Sequence, residues 1–359
     1  MVPRMVGGES TAAWIEGRPA GIDEAIDSGA ARLAAARAPL LAGLVADVDA
    51  IRAAHDLAAR LGATLDSAAS AGLYPDLAVL ASAGAMMTTP SEALARADVV
   101  LAVGRAAEAP VVAELMRTTP ARGQAAGAAR RSVTIGDGPG GDAGRLPPLL
   151  GELRAVAAGR LSAPEPKLAE AAERLKRAAF GVAVYDPGEL GDLAVDMLQG
   201  LVKDLNETTR FSSLALPDPL QGRTALAVGL WTAGAGPRVG FGRGGLAREA
   251  EHDPWRFDAA RLMESGEADA VLWLAALPCP LPPWHQPART VALMSEADGE
   301  AAAVVIRVAV PGETAPGTLW DARRGALAHR EPSRPGGPSR AAAAAVLAAI
   351  AAAAGAARC

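Results

Sequence analysis

Residues 62–76, GATLDSAASAGLYPD, set the fold class. The apolar residues within 63–66 read as a short buried strand, and the small and polar residues after it read as a loop. A helix is expected to begin near Pro75, a residue suited to a first helical turn. Open α/β folds place a ligand just beyond the carboxyl end of such a strand. The loop tip carries Gly72 and Leu73, and neither side chain can ligate a metal.

Working outward, residues 22–37 show helical spacing through Ile22, Ile26 and Leu33, with Asp23 and Glu24 favouring the first turn. Pro39 stops that helix, and residues 39–45 form a continuous apolar run suited to a buried strand. Asp47 is placed to cap a helix over 48–61. The pattern repeats with a helix near 90–97, a strand at 99–103, a helix at 168–179, a strand at 181–185 and an amphipathic helix at 192–205. Further strands are expected at 238–241, 271–275, 290–294 and 304–310. Strands alternating with helices predict an α/β fold of two Rossmann-like parallel-sheet domains. The first is expected to combine residues 1–95 and 225–330, and the second to span 96–224. Residues 136–148 and 162–167 are rich in helix and strand breakers. Residues 331–340 read as a Pro/Gly/Ser linker, and 341–359 as an Ala-rich helical tail expected to lie on a neighbouring subunit. Val346, Leu347 and Ile350 share one stripe of it.

Composition narrows the functional classes. The 359 residues carry a net charge of -5, which argues against nucleic acid or an anionic membrane as partner. Only two cysteines, Cys279 and Cys359, are present, too few for an iron–sulfur cluster or a disulfide framework. The start, MVPRMVGGESTAAW, lacks the apolar core of a signal peptide, and no 18-residue apolar span follows, so a cytoplasmic location is expected.

Individual motifs point several ways. Gly240, Gly242 and Gly245 lie in GFGRGG, which satisfies G-x-G-x-x-G; it reads as a structural turn, with a dinucleotide site as the alternative. Arg223, Arg238, Arg243 and Arg248 are candidates for gripping carboxylates, against the reading of a solvated loop. Asp204, Asn206 and Glu207 end the 192–205 helix, where Asn is expected to cap. The four histidines, His55, His252, His285 and His329, show no paired metal-ligand spacing. The Pro-rich run 278–287, with Trp284 and His285, is expected to form a subunit contact rather than local packing.

Several segments in order resemble the B subunit of formylmethanofuran dehydrogenase, of the molybdopterin oxidoreductase superfamily. They are GRPAGIDEAIDSGAARLAAARAPLLAG, LAARLGATLDSAAS, ALARADVVLAVG, LVKDLNETTRF, GLWTAGAGPRVGFGRGG, LMESGEADAVLWLAALP and VPGETAPGTLWD. The resemblance covers most of the chain, from about Gly17 to Asp321. It implies a loop S-V-C-H-G-P whose cysteine holds molybdenum or tungsten; here Gly72 stands at the cysteine and Leu73 at the histidine. It also implies an N-terminal cysteine cluster, a W-G-x-N-P loop and an S-D-P loop for the pterin dinucleotide. This chain has no cysteine before Cys279, reads VGRAA at 103–107, and reads ALP at 276–278. No cofactor is therefore expected at the chain's own site.

The bacterial branch of the family, the B subunits of formyltransferase/hydrolase complexes in methylotrophs, shares that pattern of loss. This resemblance implies a non-catalytic structural subunit whose partners are hydrolase, formyltransferase and scaffold subunits. In such complexes a formyl group passes from formyl-tetrahydromethanopterin to methylofuran and is released as formate on another, metal-dependent subunit. Methylofuran-type cofactors carry acidic, glutamate-rich tails, so the four arginines become candidate contacts to methylofuran within the assembly. The alternative is a nucleotide-binding α/β enzyme using the 240–245 loop.

Overall fold

The computed structural model describes residues 12–136, 143–242, 250–334 and 340–357. The chain divides into two compact units, one of residues 1–70, 219–320 and 327–359, the other of 71–218 and 321–326. The sequence places the crossings near 95 and 224; the chain passes over at Ser70/Ala71 and Asp218/Pro219.

The strands in chain order are β1 (Ala13–Ile15), β2 (Arg18–Pro19), β3 (Pro39–Val45), β4 (Thr64–Leu65), β5 (Val99–Val103), β6 (Arg131–Ile135), β7 (Gly181–Tyr185) and β8 (Phe211–Ala215). They continue with β9 (Val239–Gly240), β10 (Glu251–His252), β11 (Ala270–Ala275), β12 (Thr290–Met294), β13 (Val304–Arg307), β14 (Gly317–Asp321) and β15 (Ala326–Arg330). The helices are α1 (Ile22–Ala35), α2 (Val48–Leu61), α3 (Ser70–Ala83), α4 (Pro90–Arg96), α5 (Pro110–Arg117) and α6 (Leu146–Ala157). They continue with α7 (Pro166–Lys176), α8 (Pro187–Leu205), α9 (Gly222–Ala233), α10 (Ala259–Glu264) and α11 (Ala343–Ala357).

The first unit holds a nine-stranded sheet in the order β10-β9-β4-β3-β11-β12-β13-β1-β2. Its five central strands are parallel, and antiparallel strands finish both edges. The central strands β3, β11 and β12 are buried along their whole length because helices or packed loops cover both faces. Leu272 and Leu274 of β11 enter one core layer with α1, α2 and α11, while Val271 and Trp273 enter the other with Leu262 and Met263 of α10. On β3 the alternation slips by one residue. Leu40 and Ala42 face the second layer, but Leu44, not Gly43, resumes the first. Gly43 and Leu44 both have positive φ, and the register against β11 shifts there, so a bulge turns the strand end. A side chain at 43 would lie 2.6 Å from the Leu274 carbonyl, hence the glycine.

Helix α11 packs between α1 and α2, burying Val346, Leu347 and Ile350. The stripe read from the sequence is real, but it covers this chain's own helices rather than a neighbour's. In and beside the Pro-rich run, Leu277, Cys279, Leu281 and Trp284 rest on the second core layer, with Trp284 edge-on to Trp273 at 5.8 Å, while Pro278, Pro280, Pro283 and Pro287 are exposed.

The second unit is built on four parallel strands in the order β6-β5-β7-β8. From β5 the chain goes through α5 to β6, then back through α6 and α7 to β7, and on through α8 to β8. Val99, Leu101 and Val103 pack with α6, α7 and α8; Val100 and Ala102 pack with α4 and α5. The two-residue period and the helices on both faces make this a doubly wound layer.

Candidate functional site

The direction of winding in the second unit reverses between β5 and β7, which puts the switch-point crevice at their carboxyl ends. Beyond β5 the chain turns at Gly104, with φ +60, into the turn 104–108. Beyond β7, Asp186 accepts from the Gly188 amide at 2.9 Å and opens the one-turn segment of α8 before the break at Gly191. Glu189 reaches from that turn into the crevice. Both of its oxygens accept from the Arg105 amide at 3.1 Å, and its carboxylate would lie 2.7 Å from any Cβ at Gly104. Arg105 in turn grips Asp186 at 2.6 Å and faces Glu189 at 3.7 Å. The crevice is filled by the chain's own carboxylates.

The same unit holds Gly72 in the first turn of α3. The helix begins at Ser70 and contains Pro75, so Gly72 and Leu73 belong to a helical turn and not to a loop tip. Leu73 is buried in the core, whereas a Cβ at Gly72 would meet no atom within 4 Å. Asp76, one turn on, accepts from the Tyr185 hydroxyl at 2.7 Å. Gln199 of α8 donates to the Tyr185 oxygen at 3.1 Å and to Ser213 at 3.0 Å, so Tyr185 of β7 joins α3 to α8, and α8 is also held to β8. Burial and the adjacent Asp76 push the Tyr185 phenol up, so it stays a neutral donor.

In the first unit the residue after β4, Asp66, is fully buried yet satisfied. It accepts from Ser70 at 2.6 Å and from the Ala259 amide at 2.8 Å, and faces Arg238 at 3.5 Å. Burial pushes its carboxyl up to about 6, against the opposing pull of Arg238 and the two donors. Arg238 also pairs with Asp258 and donates to the Pro254 carbonyl. The first unit's own switch point, between β3 and β11, is bridged by the Leu277 amide donating to the Val45 carbonyl at 3.1 Å.

Of the arginines read as acidic-tail contacts, Arg238 is only 15% exposed and committed to Asp66 and Asp258. That internal pairing corrects its reading as an open grip. Arg223 lies in the first turn of α9, and Arg243 and Arg248 fall outside the described residues. The glycine loop is also accounted for as far as it is described. Strand β9 runs antiparallel to both neighbours, and a Cβ at Gly240 would strike the Phe257 ring at 2.6 Å, so this glycine makes room for a ring. Gly245 lies outside the described residues. Asn206 caps α8 as expected, bonding the carbonyls of Val202 and Phe211 and the Phe211 amide, while Asp204 pairs with Arg154 at 2.7 Å. Sequence reasoning names Arg105 only within the 103–107 stretch, as a departure from W-G-x-N-P, and does not single out its partner Glu189. Starting the helix at Asp192 sets aside the D-P-G-E turn at 186–189, whose acidic residues directly after a strand are the available signal.

No family model matches the chain. A curated relative does: the B subunit of the formyltransferase/hydrolase complex Fhc of Methylorubrum extorquens is 48% identical over 338 residues, covering 90% of this chain and 92% of that protein. A crystal structure of the formyltransferase/hydrolase complex FhcABCD from the same organism, in complex with methylofuran, contains a chain that aligns with TM-score 0.88. It is 47% identical and covers 95% of this chain and 98% of that one. The chain belongs to the family of Fhc B subunits.

Within an Fhc B subunit of this build, the residues at Gly72 do not fit a soft metal. Glycine has no ligand atom, and the described residues contain no group of three His, Cys, Asp or Glu side chains positioned to hold an ion. No helix among the described residues is long and apolar enough to cross a membrane.

Proposed function

We propose that this chain is the B component of a formyltransferase/hydrolase complex and that it contributes architecture while other subunits carry the chemistry. The observation that carries the reading is near-complete coverage of the Fhc B subunit at 48% identity. Its support within the chain is the state of the crevices. One holds Glu189 and Asp186 on Arg105, the other is bridged by Leu277 and Val45, and a glycine stands where a ligand would be needed. We extend to the partners the same logic: a chain matched along 92% of its relative meets the other chains of such a complex in the same way. We also keep in this reading the descent from a molybdopterin oxidoreductase fold, since both units carry parallel sheets with ligand-type switch points. The methylofuran contact is assigned to Arg223, Arg243 and Arg248.

The test is co-expression of the tagged chain with the remaining subunits, followed by metal analysis and assay of formyl transfer and hydrolysis. The expected outcome is a stoichiometric assembly in which both activities appear and the isolated chain shows neither. Arg223→Ala in that assembly is expected to raise KM for methylofuran with kcat retained. Turnover by the isolated chain, or stoichiometric molybdenum or tungsten bound to it, counts against the reading.

A further inference from the structure

The second unit holds a half-open cavity of about 510 Å³ at the amino ends of β5, β7 and β8, the end of the sheet away from the switch-point crevice. Its walls are the end of α4, the turn 123–125, the approach to β7 at 178–180 and the α8–β8 loop at 206–210. One wall is rigid. The Asp98 carboxylate accepts from the Phe180 amide at 2.8 Å and from Arg131 at 2.9 Å, and the Phe180 ring is buried. The Arg96 guanidinium lies over that ring at 4.8 Å and donates to Glu92 at 2.8 Å. A guanidinium carries five donors, so most of those on Arg96 remain for another acceptor. On the loop wall, the Gly181 amide holds the Arg210 carbonyl at 2.8 Å, while the Arg210 side chain pairs with no carboxylate among the described residues. Glu207 is the single carboxylate among the described lining residues, and it pairs with neither arginine.

Two guanidinium groups thus line one cavity against one carboxylate, beside an apolar wall of Ala125, Ala178 and Ala179. The planar fork of a guanidinium matches a carboxylate edge. A cavity of this volume with an apolar wall suits a carbon skeleton better than a lone inorganic ion. We propose that it binds a small organic dicarboxylate, one carboxylate on Arg96 and the other on Arg210, so that the ligand ties the end of α4 to the α8–β8 loop. Glu207 opposes the second carboxylate, and affinity in the millimolar range is expected. The site lies wholly in the second unit and does not rest on the assignment of the chain to an assembly.

Hydrogen exchange on the full chain, in whatever assembly it purifies with, tests this with succinate as the probe. Succinate is expected to slow exchange saturably across residues 93–97 and 206–210, by roughly threefold or more at saturation. Arg210→Ala is expected to weaken the response by about tenfold, the loss of one charge-assisted contact. Arg210→Lys keeps the charge without the fork and is expected to fall between the two. Glu207→Gln removes the opposing charge and is expected to tighten binding severalfold. Neutral succinamide, and phosphate or chloride at matched ionic strength, are expected to leave exchange unchanged. The Arg210 side chain is exposed, so its variants are expected to fold, and an unchanged melting temperature is the control. Exchange in the native chain that succinate does not slow overturns the proposal. So does a succinate response that survives Arg210→Ala, or one that phosphate reproduces in full.

Discussion

His55 and Asp66 titrate in one pH window with opposite consequences for folding. His55 is buried in α2 against Phe241, and burial lowers its pKa from 6.5 to about 4. The unfolded chain therefore binds a proton that the fold refuses. This contribution is complete above pH 6.5 and is lost as pH falls towards 4, at a cost of about 3 kcal/mol. Asp66 runs the other way. Its carboxyl is raised from 3.8 to about 6, so the fold takes the proton first and gains about 3 kcal/mol as pH falls through the same range. The two terms offset each other, so the native chain is expected to show a shallow acid slope there. His55→Leu is expected to gain stability on acidification, and Asp66→Asn to lose it. Urea unfolding midpoints measured from pH 7 to about 4.5 check this; slopes equal to the native one in both variants would refute it.

At the scale of elements, legibility follows the burial of each strand. Residues 39–45, 99–103, 181–185 and 290–294 are buried along their whole length, so hydrophobicity alone marks them to the residue. Strand β6, RSVTI, is an edge strand with only Val133 buried, and β8 carries Ser212 and Ser213, so neither stands out. Helix α6 begins LPP, with prolines in its first turn where their missing donors cost nothing, and in sequence that run reads as a joint. Helix α3 misleads in the opposite sense: Pro75 suggests a helix start but lies inside the helix. Helix α8 is legible from Asp192 because Gly191 breaks it there. Its far end supplies a test. Asn206 makes three bonds at 2.6–3.1 Å between α8 and β8. Asn206→Ala leaves part-buried backbone groups unpaired and is expected to destabilise the second unit by about 2 kcal/mol. Thermal melting detects it, and a loss under about 0.5 kcal/mol would mean the cap is redundant.

On the scale of the molecule, each unit resolves the same problem in its own way. A parallel sheet necessarily leaves a crevice where its winding reverses, and a crevice without a ligand must be filled or hydrated. The second unit fills it with Glu189 and Asp186, the first spans it with a backbone hydrogen bond. The absence of ligand residues at Gly72 is legible in the sequence, but what replaces the ligand is not, because Glu189 is 85 positions from Gly104 and only the fold brings them together. If filling is what matters, restoring one ligand atom should restore nothing. Gly72→Cys is the sharpest form of that claim. A Cβ at 72 meets no atom within 4 Å, and cysteine in a helical turn costs less backbone entropy than glycine, so the variant is expected to fold and assemble. One thiolate with no companion donors cannot fix a soft metal. The complex carrying Gly72→Cys is therefore expected to keep both activities within about twofold and to gain no molybdenum or tungsten. A thiol reagent gives the control, because labelling at 72 shows that the sulfur is present and reduced. Stoichiometric metal on that thiol, or an order-of-magnitude change in formyl transfer, would show that this turn still belongs to working chemistry.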